Sequence, residues 1–209
     1  MKLLEDYRKL LNDVMRAYHI DAPAKQAAFL ATVGEETLGM TRMTEMRSRY
    51  ASSHDLYRGR GIIQLTGRGN YSQASRELRI GAPPKYDLLV RRPDSAAKSR
   101  WSFKIAGWFW AARRHRFGIP NNKMGVRPRA DLRDFREASS LVNSGRPDGP
   151  VNGWGHRLTY YKRALSALGV RVGKRFAAGL NQGIRKWSGK NLPAEKSYRL
   201  WRAKLRAKN

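Results

Sequence analysis

The chain has 209 residues, of which 41% are hydrophobic, so it is long enough for one well-packed domain with a short extension. Its 43 Lys and Arg residues against 16 Asp and Glu give a formal net charge of +27, which favours polyanions such as nucleic acid, anionic lipid or bacterial envelope polymers as partners. The absence of cysteine excludes disulfide scaffolds, thiolate metal sites and cysteine nucleophiles.

Two helices are predicted at the start of the chain. Hydrophobic residues recur at three- and four-residue spacing over residues 2–18, which predicts an amphipathic helix. Pro23 suits the first turn of a second helix, which we expect over residues 24–36. Charged residues interrupt the N-terminus too early for a signal peptide, and no apolar run reaches the length of a membrane-spanning helix.

The second predicted helix ends in two adjacent glutamates. Glu36 follows Phe29 and Val33 at helical spacing and therefore lies at the edge of the apolar face. Glu35 is rotated from it by about 100°. Partial burial disfavours the charged form of a carboxyl, which suits a general acid, so Glu36 is the preferred candidate. The alternative is that both glutamates are solvated residues at a helix end.

The stretch YRGRGIIQLTGRGNY, residues 57–71, is the most unusual part of the sequence. Its glycines would weaken a helix or strand, yet they bracket an Ile-Ile-Gln-Leu run that favours burial, so we predict a rigid, irregular segment. Its uncharged hydrogen-bonding side chains include Gln64, Thr66 and Asn70. None of these titrates, so the nearest upstream candidates for an acid and a base are Glu36 and Glu45. An Arg-Gly-rich RNA-binding segment is the competing interpretation, and the hydrophobic run argues against it.

The middle of the chain predicts further helices. Residues 72–94 contain three prolines and indicate a short helix followed by a loop. A longer helix is expected from Asp94 to about residue 116, with Trp110 either in the core or reaching a cleft. Its predicted core stripe is Trp101, Ile105, Trp108 and Ala112. Residues 117–130 predict an exposed connection, and residues 131–142 predict another helix.

The composition changes at Arg171. Residues 171–209 hold twelve Lys or Arg residues and one acid, Glu195, which gives a net charge of +11. Two hydrophobic stripes at helical spacing lie in this tail, at Phe176, Leu180, Ile184 and Trp187, and at Tyr198, Trp201 and Leu205. Basic amphipathic helices with aromatic anchors suit an anionic membrane surface. We therefore predict a domain over 1–170 and a basic helical extension over 171–209, the alternative being two helices that close the domain.

Taken together, three segments carry a resemblance to a known family. They are FLATVGEETLGM at residues 29–40, TEM at residues 44–46 and the glycine-rich run at residues 57–71. They resemble the family 19 glycoside hydrolases, which comprise plant-type chitinases and phage endolysins, over roughly residues 24–168. The resemblance implies a mostly α, lysozyme-like fold. It favours the endolysin branch because only 11 residues, 46–56, separate Glu45 from Tyr57, which implies an open cleft.

The resemblance also implies roles for individual residues. Glu36 would be the general acid, and Glu45 the general base, with Thr66 positioning the attacking water. Such an inverting pair holds its two carboxyls roughly 6.5–9.5 Å apart so that a water fits between base and sugar. The implied substrate-binding residues are Tyr57, Gln64, Asn70, Tyr71, Asn143 and Arg157. Arg157 would in addition be the electrostatic partner of Glu36. The alternative for Glu45 is a surface ion pair.

Two positions depart from the family pattern. Glu35 stands where the family has a histidine before the acid. His156 stands where the family has an aspartate before the arginine, here Arg157. A second carboxylate beside Glu36 would either perturb the acid or point outward.

The resulting expectation is a monomeric endolysin that hydrolyses β-1,4 bonds of peptidoglycan without a metal or other cofactor. It would be made in the host cytoplasm without a signal peptide and act on the cell wall after release. The basic tail would bind anionic envelope polymers or a membrane surface, and no specific nucleic acid is expected. The alternatives are a chitinase and a non-enzymatic, polyanion-binding or membrane-disrupting basic protein.

Overall fold

The computed structural model describes residues 2–46, 56–112 and 132–188, and this part of the chain is mostly helical, as predicted. Its α-helices are α1 (Lys2–Ala17), α2 (Pro23–Glu36), α3 (Arg68–Glu77), α4 (Leu88–Arg91), α5 (Ser99–Gly107), α6 (Leu132–Ser144), α7 (Trp154–Ala167) and α8 (Lys174–Ser188). A 3-10 helix, Pro93–Ala97, precedes α5, and a π-helical stretch, Trp108–Ala112, follows it. Within the described ranges, β-structure is limited to isolated bridges, and no helix is long and apolar enough to cross a membrane.

Helix α2 lies at the centre of the core. Small residues let other elements approach it closely, and eight of its residues are buried, namely Ala24, Ala27, Ala28, Phe29, Ala31, Thr32, Val33 and Gly34. At Gly34 an added Cβ would lie 2.9 Å from the ring of Tyr160 on α7. Since real Cβ atoms do not approach that closely, the glycine sets the distance between α2 and α7. The functional residues at the ends of both helices depend on this contact.

The predicted helix from Asp94 to residue 116 was wrong at its start. Asp94 belongs to the 3-10 helix, and α5 begins only at Ser99. Pro93 favours the first turn of a helix, which explains why a helical segment begins there. Residues 113–116 lie outside the described residues. Of the two interpretations of Trp110, the core is correct, because it is 4% exposed and packs edge-on against Phe29 at 5.6 Å.

The glycine-rich segment 57–71 is irregular and buried, as predicted, until α3 begins at Arg68. Antiparallel bridges join Arg60 to Thr44 on one side and to Leu65 on the other. The Arg60 side chain is 3% exposed, and it donates hydrogen bonds to the carbonyl oxygen of Leu56 (2.9 Å) and to the hydroxyl of Tyr71 (3.1 Å). Backbone pairing and one buried guanidinium therefore take the place of regular secondary structure.

Helix α8 lies within the predicted extension 171–209 and packs on the core. Leu180 is 2% exposed and belongs to the main hydrophobic core. Gly183 faces Leu158 of α7, where an added Cβ would lie 2.6 Å from Cδ1. The packing supports the alternative in which this helix closes the domain, because the hydrophobic face of α8 is buried against α7. The second predicted tail helix, with Tyr198, Trp201 and Leu205, lies outside the described residues.

Candidate active site

A cavity of about 690 Å³ opens between the end of α2, the segment 57–71 and the α6–α7 connection. Three carboxylates line it, Glu35, Glu36 and Glu45, and so do three guanidinium groups, Arg42, Arg146 and Arg157. Amide and hydroxyl groups come from Gln64, Thr66, Asn70, Asn143, Ser144 and Asn152. Most residues of the predicted site therefore meet in one cavity, and its polar lining suits a ligand rich in hydroxyl and amide groups.

Glu36 is held by the predicted partner, Arg157. The Nη2 atom of Arg157 donates a hydrogen bond of 2.6 Å to Oε1 of Glu36, across 121 positions of the chain. The Arg157 side chain is 2% exposed, and its Nε donates to the carbonyl oxygen of Asn152 at 3.0 Å. Two bonds in different directions fix the guanidinium plane, so the Glu36 carboxylate faces a rigid, buried positive charge.

Glu45 is held by backbone groups of the glycine-rich segment. Its own N–H donates to the carbonyl oxygen of Gly59 (2.8 Å), and the N–H of Gly59 donates to its Oε2 (3.0 Å). Arg58 Nε donates to the carbonyl oxygen of Glu45 at 3.0 Å. The bond to Gly59 uses one carboxylate oxygen and fixes the position of the side chain. Glu45 is therefore an ordered residue of the cavity wall and not an isolated surface charge.

The uncharged residues of segment 57–71 line the cavity wall beside Glu45. Gln64 has a positive φ of 52°, and its Nε2 donates to the carbonyl oxygen of Gly61 at 2.8 Å. The hydroxyl of Thr66 donates to the carbonyl oxygen of Gln64 at 2.8 Å, which leaves the oxygen lone pairs as acceptors. Asn70 Nδ2 donates to the carbonyl oxygen of Thr66 at 2.7 Å. A strained backbone at Gln64 is retained because these bonds hold it in place.

Tyr57 and Tyr71, predicted to bind substrate, are not among the described residues that line this cavity, and their substrate-binding role stays a prediction. Tyr71 is fully buried, and its hydroxyl donates to the carbonyl oxygen of Arg58 at 2.7 Å. Burial raises the pKa of Tyr71, and the hydrogen bond from Arg60 opposes that shift. The hydroxyl of Tyr57 donates to the carbonyl oxygen of Val90 at 3.2 Å. Both rings therefore support the segment from behind.

Asn143 lines the opposite wall, at the C-terminal end of α6. Its Nδ2 donates to the carbonyl oxygen of Pro150 at 3.2 Å. The hydroxyl of Ser140 donates to the carbonyl oxygens of Arg146 (2.6 Å) and Gly149 (2.9 Å). These side-chain bonds hold the α6–α7 connection against α6 and present Asn143 to the cavity.

Sequence reasoning missed several residues of the cavity wall. Arg146, Asn152 and Phe109 line the cavity and were not proposed from the sequence. Glu35 was set aside because it is rotated from the apolar face of α2. In the structure its side chain is only 14% exposed, and its Oε2 lies 3.6 Å from Nδ1 of His156. The signal was present in the sequence, since Glu35 and His156 are the two positions that depart from the family pattern.

No group of three or more His, Asp or Glu side chains in the described ranges is arranged to hold a metal ion.

A comparison with protein-family models finds no match for this chain. Among curated proteins, the acidic endochitinase pcht28 of Solanum chilense is 29% identical over 163 residues, which make up 71% of this chain and 62% of that protein. The chain thus spans less than two thirds of the length of this curated relative.

Two solved structures share the fold. A bacterial family 19 chitinase is 28% identical, with a TM-score of 0.58 over 79% of this chain and 87% of that chain. Chitinase C from Streptomyces griseus HUT6037 is 23% identical, with a TM-score of 0.55 over 79% of this chain and 85% of that chain. The predicted lysozyme-like fold is confirmed. Sequence similarity and the shared fold relate this chain to the chitinases of glycoside hydrolase family 19.

Proposed function

We propose that this chain is a glycosidase that hydrolyses β-1,4 bonds between amino sugars with inversion at the anomeric carbon. One observation carries the proposal. Glu36, held by Arg157, and Glu45, held by the backbone of Gly59, line the same cavity in different electrostatic environments. Inverting glycosidases need two such carboxyls, one to protonate the leaving oxygen and one to activate a water.

Glu36 supplies the proton in this mechanism. It protonates the glycosidic oxygen as the bond to the anomeric carbon breaks, and a carboxylate remains. Arg157 stabilises that carboxylate, because its guanidinium already contacts Oε1 of Glu36 at 2.6 Å. The positive charge is therefore in place before the negative charge develops, and no reorganisation is needed during the reaction.

Glu45 activates the water on the opposite face of the sugar. One oxygen of its carboxylate accepts from Gly59, and the carboxylate can accept a proton from a water as that water attacks. The hydroxyl of Thr66 donates to Gln64, so its oxygen is an acceptor for the second hydrogen of the same water. Two acceptors orient the water toward the anomeric carbon. The proton count balances, because Glu36 loses the proton that Glu45 gains.

Peptidoglycan is the substrate that we propose. Its support is electrostatic, since a net charge of +27 concentrates the protein on anionic envelope material. Arg42 and Arg146 also line the cavity and would attract a saccharide that carries carboxylates. Chitin is the second candidate, and the similarity to chitinases favours it. Both polymers contain N-acetylglucosamine, and the amide-rich wall of Gln64, Asn70 and Asn143 suits either.

The basic C-terminal residues are a proposed second contact with the envelope. Residues 189–209 hold seven Lys or Arg residues and one Glu, a net charge of +6. Such a segment is attracted to anionic polymers or lipid headgroups in a salt-dependent way. In this proposal it adds affinity for the substrate surface and takes no part in bond cleavage.

The test compares wild type, Glu36→Gln and Asp87→Asn on purified peptidoglycan and on chitin oligosaccharides. Glu36→Gln preserves shape but cannot supply the proton, so we expect turnover to fall by roughly 10²–10⁴-fold. Asp87→Asn removes one negative charge from a surface ion pair with Arg91 and should act like wild type. Mass analysis of the fragments identifies the sugar at the new reducing end, and NMR of the first product should show the α-anomer.

Four outcomes would decide against parts of the proposal. Equal turnover by wild type and Glu36→Gln would remove Glu36 from the mechanism. A β-anomer as first product would exclude inversion. Hydrolysis of chitin oligosaccharides without hydrolysis of peptidoglycan would establish the second candidate substrate, and hydrolysis of neither polymer would leave polyanion binding as the function.

A further inference from the structure

The ends of α2 and α7 meet through two consecutive residues on each helix. Arg157 contacts Glu36 at 2.6 Å, and the preceding residue, His156, places Nδ1 3.6 Å from Oε2 of Glu35. Two adjacent carboxylates on α2 therefore face two adjacent nitrogen-bearing side chains on α7. The Glu36 contact belongs to the proposed mechanism, whereas the Glu35 contact has no role in it.

The Glu35 carboxylate also lies against the first turn of α7. Gly153 precedes this helix with a φ of +66°, and an added Cβ there would lie 1.9 Å from Oε1 of Glu35. Only a glycine permits that approach and that backbone conformation. The first N–H groups of a helix lack intrahelical partners and carry a partial positive charge, so a carboxylate at this place stabilises the turn.

Contact with water does not explain the position of the Glu35 carboxylate. Its Oε2 is buried, and it accepts no hydrogen bond from any residue that the structure describes. Removing a carboxylate oxygen from water costs free energy unless nearby positive charge offsets the loss. Gly153 at the start of α7 and the His156 ring both lie against this carboxylate. The Glu35 carboxylate therefore interacts electrostatically with α7, at one defined place on its first turn.

We propose that Glu35 is a positioning residue, whose carboxylate holds the first turn of α7 and thereby directs Arg157 at Glu36. Arg157 follows His156 directly, and its N–H donates to the carbonyl oxygen of Gly153 at 3.0 Å. Movement of this turn would move the guanidinium away from Glu36. The effect on turnover rests on the proposed function, because it acts through the acid Glu36. The effect of Glu35 on α7 does not depend on the proposed function.

Hydrogen exchange tests the structural part of this inference without reference to activity. The variants are Glu35→Gln, which keeps the shape and removes the charge, and Asp87→Asn, which removes a charge far from α7. In Glu35→Gln, the amides of residues 157–160, which are the first in α7 with intrahelical acceptors, should exchange roughly 3- to 30-fold faster than in wild type, because the helix start loses its carboxylate. Asp87→Asn should leave these amides unchanged. Unchanged exchange in Glu35→Gln would overturn the inference.

A double-mutant cycle tests the catalytic part. Glu35→Gln should lower kcat by roughly tenfold or more with little change in KM, because it disturbs the acid and not substrate binding. In an Arg157→Lys background the guanidinium fork is already lost, so adding Glu35→Gln should lower kcat by less than roughly twofold. Equal losses in both backgrounds, or a loss that falls on KM, would mean that Glu35 contacts the substrate directly, and the positioning role would be wrong.

A second variant keeps the test decisive if Glu35→Gln fails to fold. His156→Gln removes the imidazole that faces Glu35 from the α7 side and leaves Glu35 in place. It should accelerate exchange of the same amides and lower kcat in the same direction. Wild-type behaviour of His156→Gln in both measurements, with an unfolded Glu35→Gln, would reduce Glu35 to a folding role. If no polymer is hydrolysed by wild type, the proposed function fails, and the exchange result still decides whether Glu35 holds α7.

Discussion

At residue 59 the backbone itself forms part of the candidate site. The N–H of Gly59 donates to Oε2 of Glu45, and the carbonyl oxygen of Gly59 accepts from the N–H of Glu45. An added Cβ would lie 2.7 Å from Oε1 of Gln64 and 3.3 Å from Oε2 of Glu45. A side chain at this position would therefore push on two residues that face the substrate. The glycine is required by close approach and not by an unusual φ.

Gly59→Ala should therefore lower kcat/KM while the fold survives. We expect a loss of roughly 10- to 100-fold, because a displacement of about 1 Å at a catalytic base has effects of this size. Gly69→Ala is the matched control, since nothing lies within 4 Å of its added Cβ. It lies in α3 and should leave activity unchanged and raise the free energy of unfolding by up to about 1 kcal/mol. Equal activities of the two variants would contradict the role of Gly59.

At the scale of elements, the glycine-rich segment 57–71 depends on one buried cation. Arg60 donates hydrogen bonds to Leu56 and Tyr71 inside the protein and pairs with Asp94 at 2.8 Å. The two partners in the ion pair differ in exposure, 3% for the Arg60 side chain and 84% for Asp94. The internal bonds of Arg60 therefore stabilise the segment, and Asp94 contributes little because solvent screens its charge.

Arg60→Ala should destabilise the protein far more than Asp94→Asn. Removing the guanidinium leaves buried acceptors without a donor, and we expect a loss of about 3–5 kcal/mol in the free energy of unfolding. Asp94→Asn should cost less than about 1 kcal/mol. Urea unfolding of both variants measures the difference. Equal losses would mean that the exposed ion pair, and not the internal network, holds the segment.

At the scale of the whole molecule, helix α8 of the predicted extension packs against α7. Phe176 packs edge-on against Tyr161 of α7 at 6.4 Å, and Lys162 donates to Asn181 at 2.8 Å. Removal of α8 would expose the α7 residues Leu158, Tyr161 and Leu165, all of which are buried. Helix α8 therefore packs on α7, whereas polyanion binding by residues 189–209 stays a proposal.

Two truncations separate these functions. A chain ending at residue 188 should unfold at nearly the same urea concentration as the full chain and hydrolyse a short oligosaccharide equally well. A chain ending at residue 170 should lose several kcal/mol, about 2–5 for each large buried side chain removed, and unfold at low urea concentration. The chain ending at 188 should also bind anionic vesicles more weakly at low salt. Unchanged vesicle binding would assign the affinity to the catalytic domain.

The hydrophobic pattern of the sequence determined most of the helices. Helices α1, α2 and α6 were predicted within one or two residues, because their faces repeat with helical period and flanking prolines or glycines end the pattern. The start of α5 was misplaced because Pro93 begins a short 3-10 helix of its own. The motif residues Glu36, Glu45, Gln64, Thr66 and Asn70 could likewise be named without coordinates.

Only the tertiary structure decided how these residues meet. The resemblance implied Arg157 as the partner of Glu36, but only the structure shows their contact at 2.6 Å. Glu45 reaches Gly59 through a backbone bridge that no residue pattern indicates. Tyr71 turned out to support the segment from behind, and Glu35 turned out to face α7. The physical reason is that periodicity encodes which side of an element is buried. Which groups come into hydrogen-bonding distance depends instead on close approaches between elements, such as those at Gly34 and Gly153.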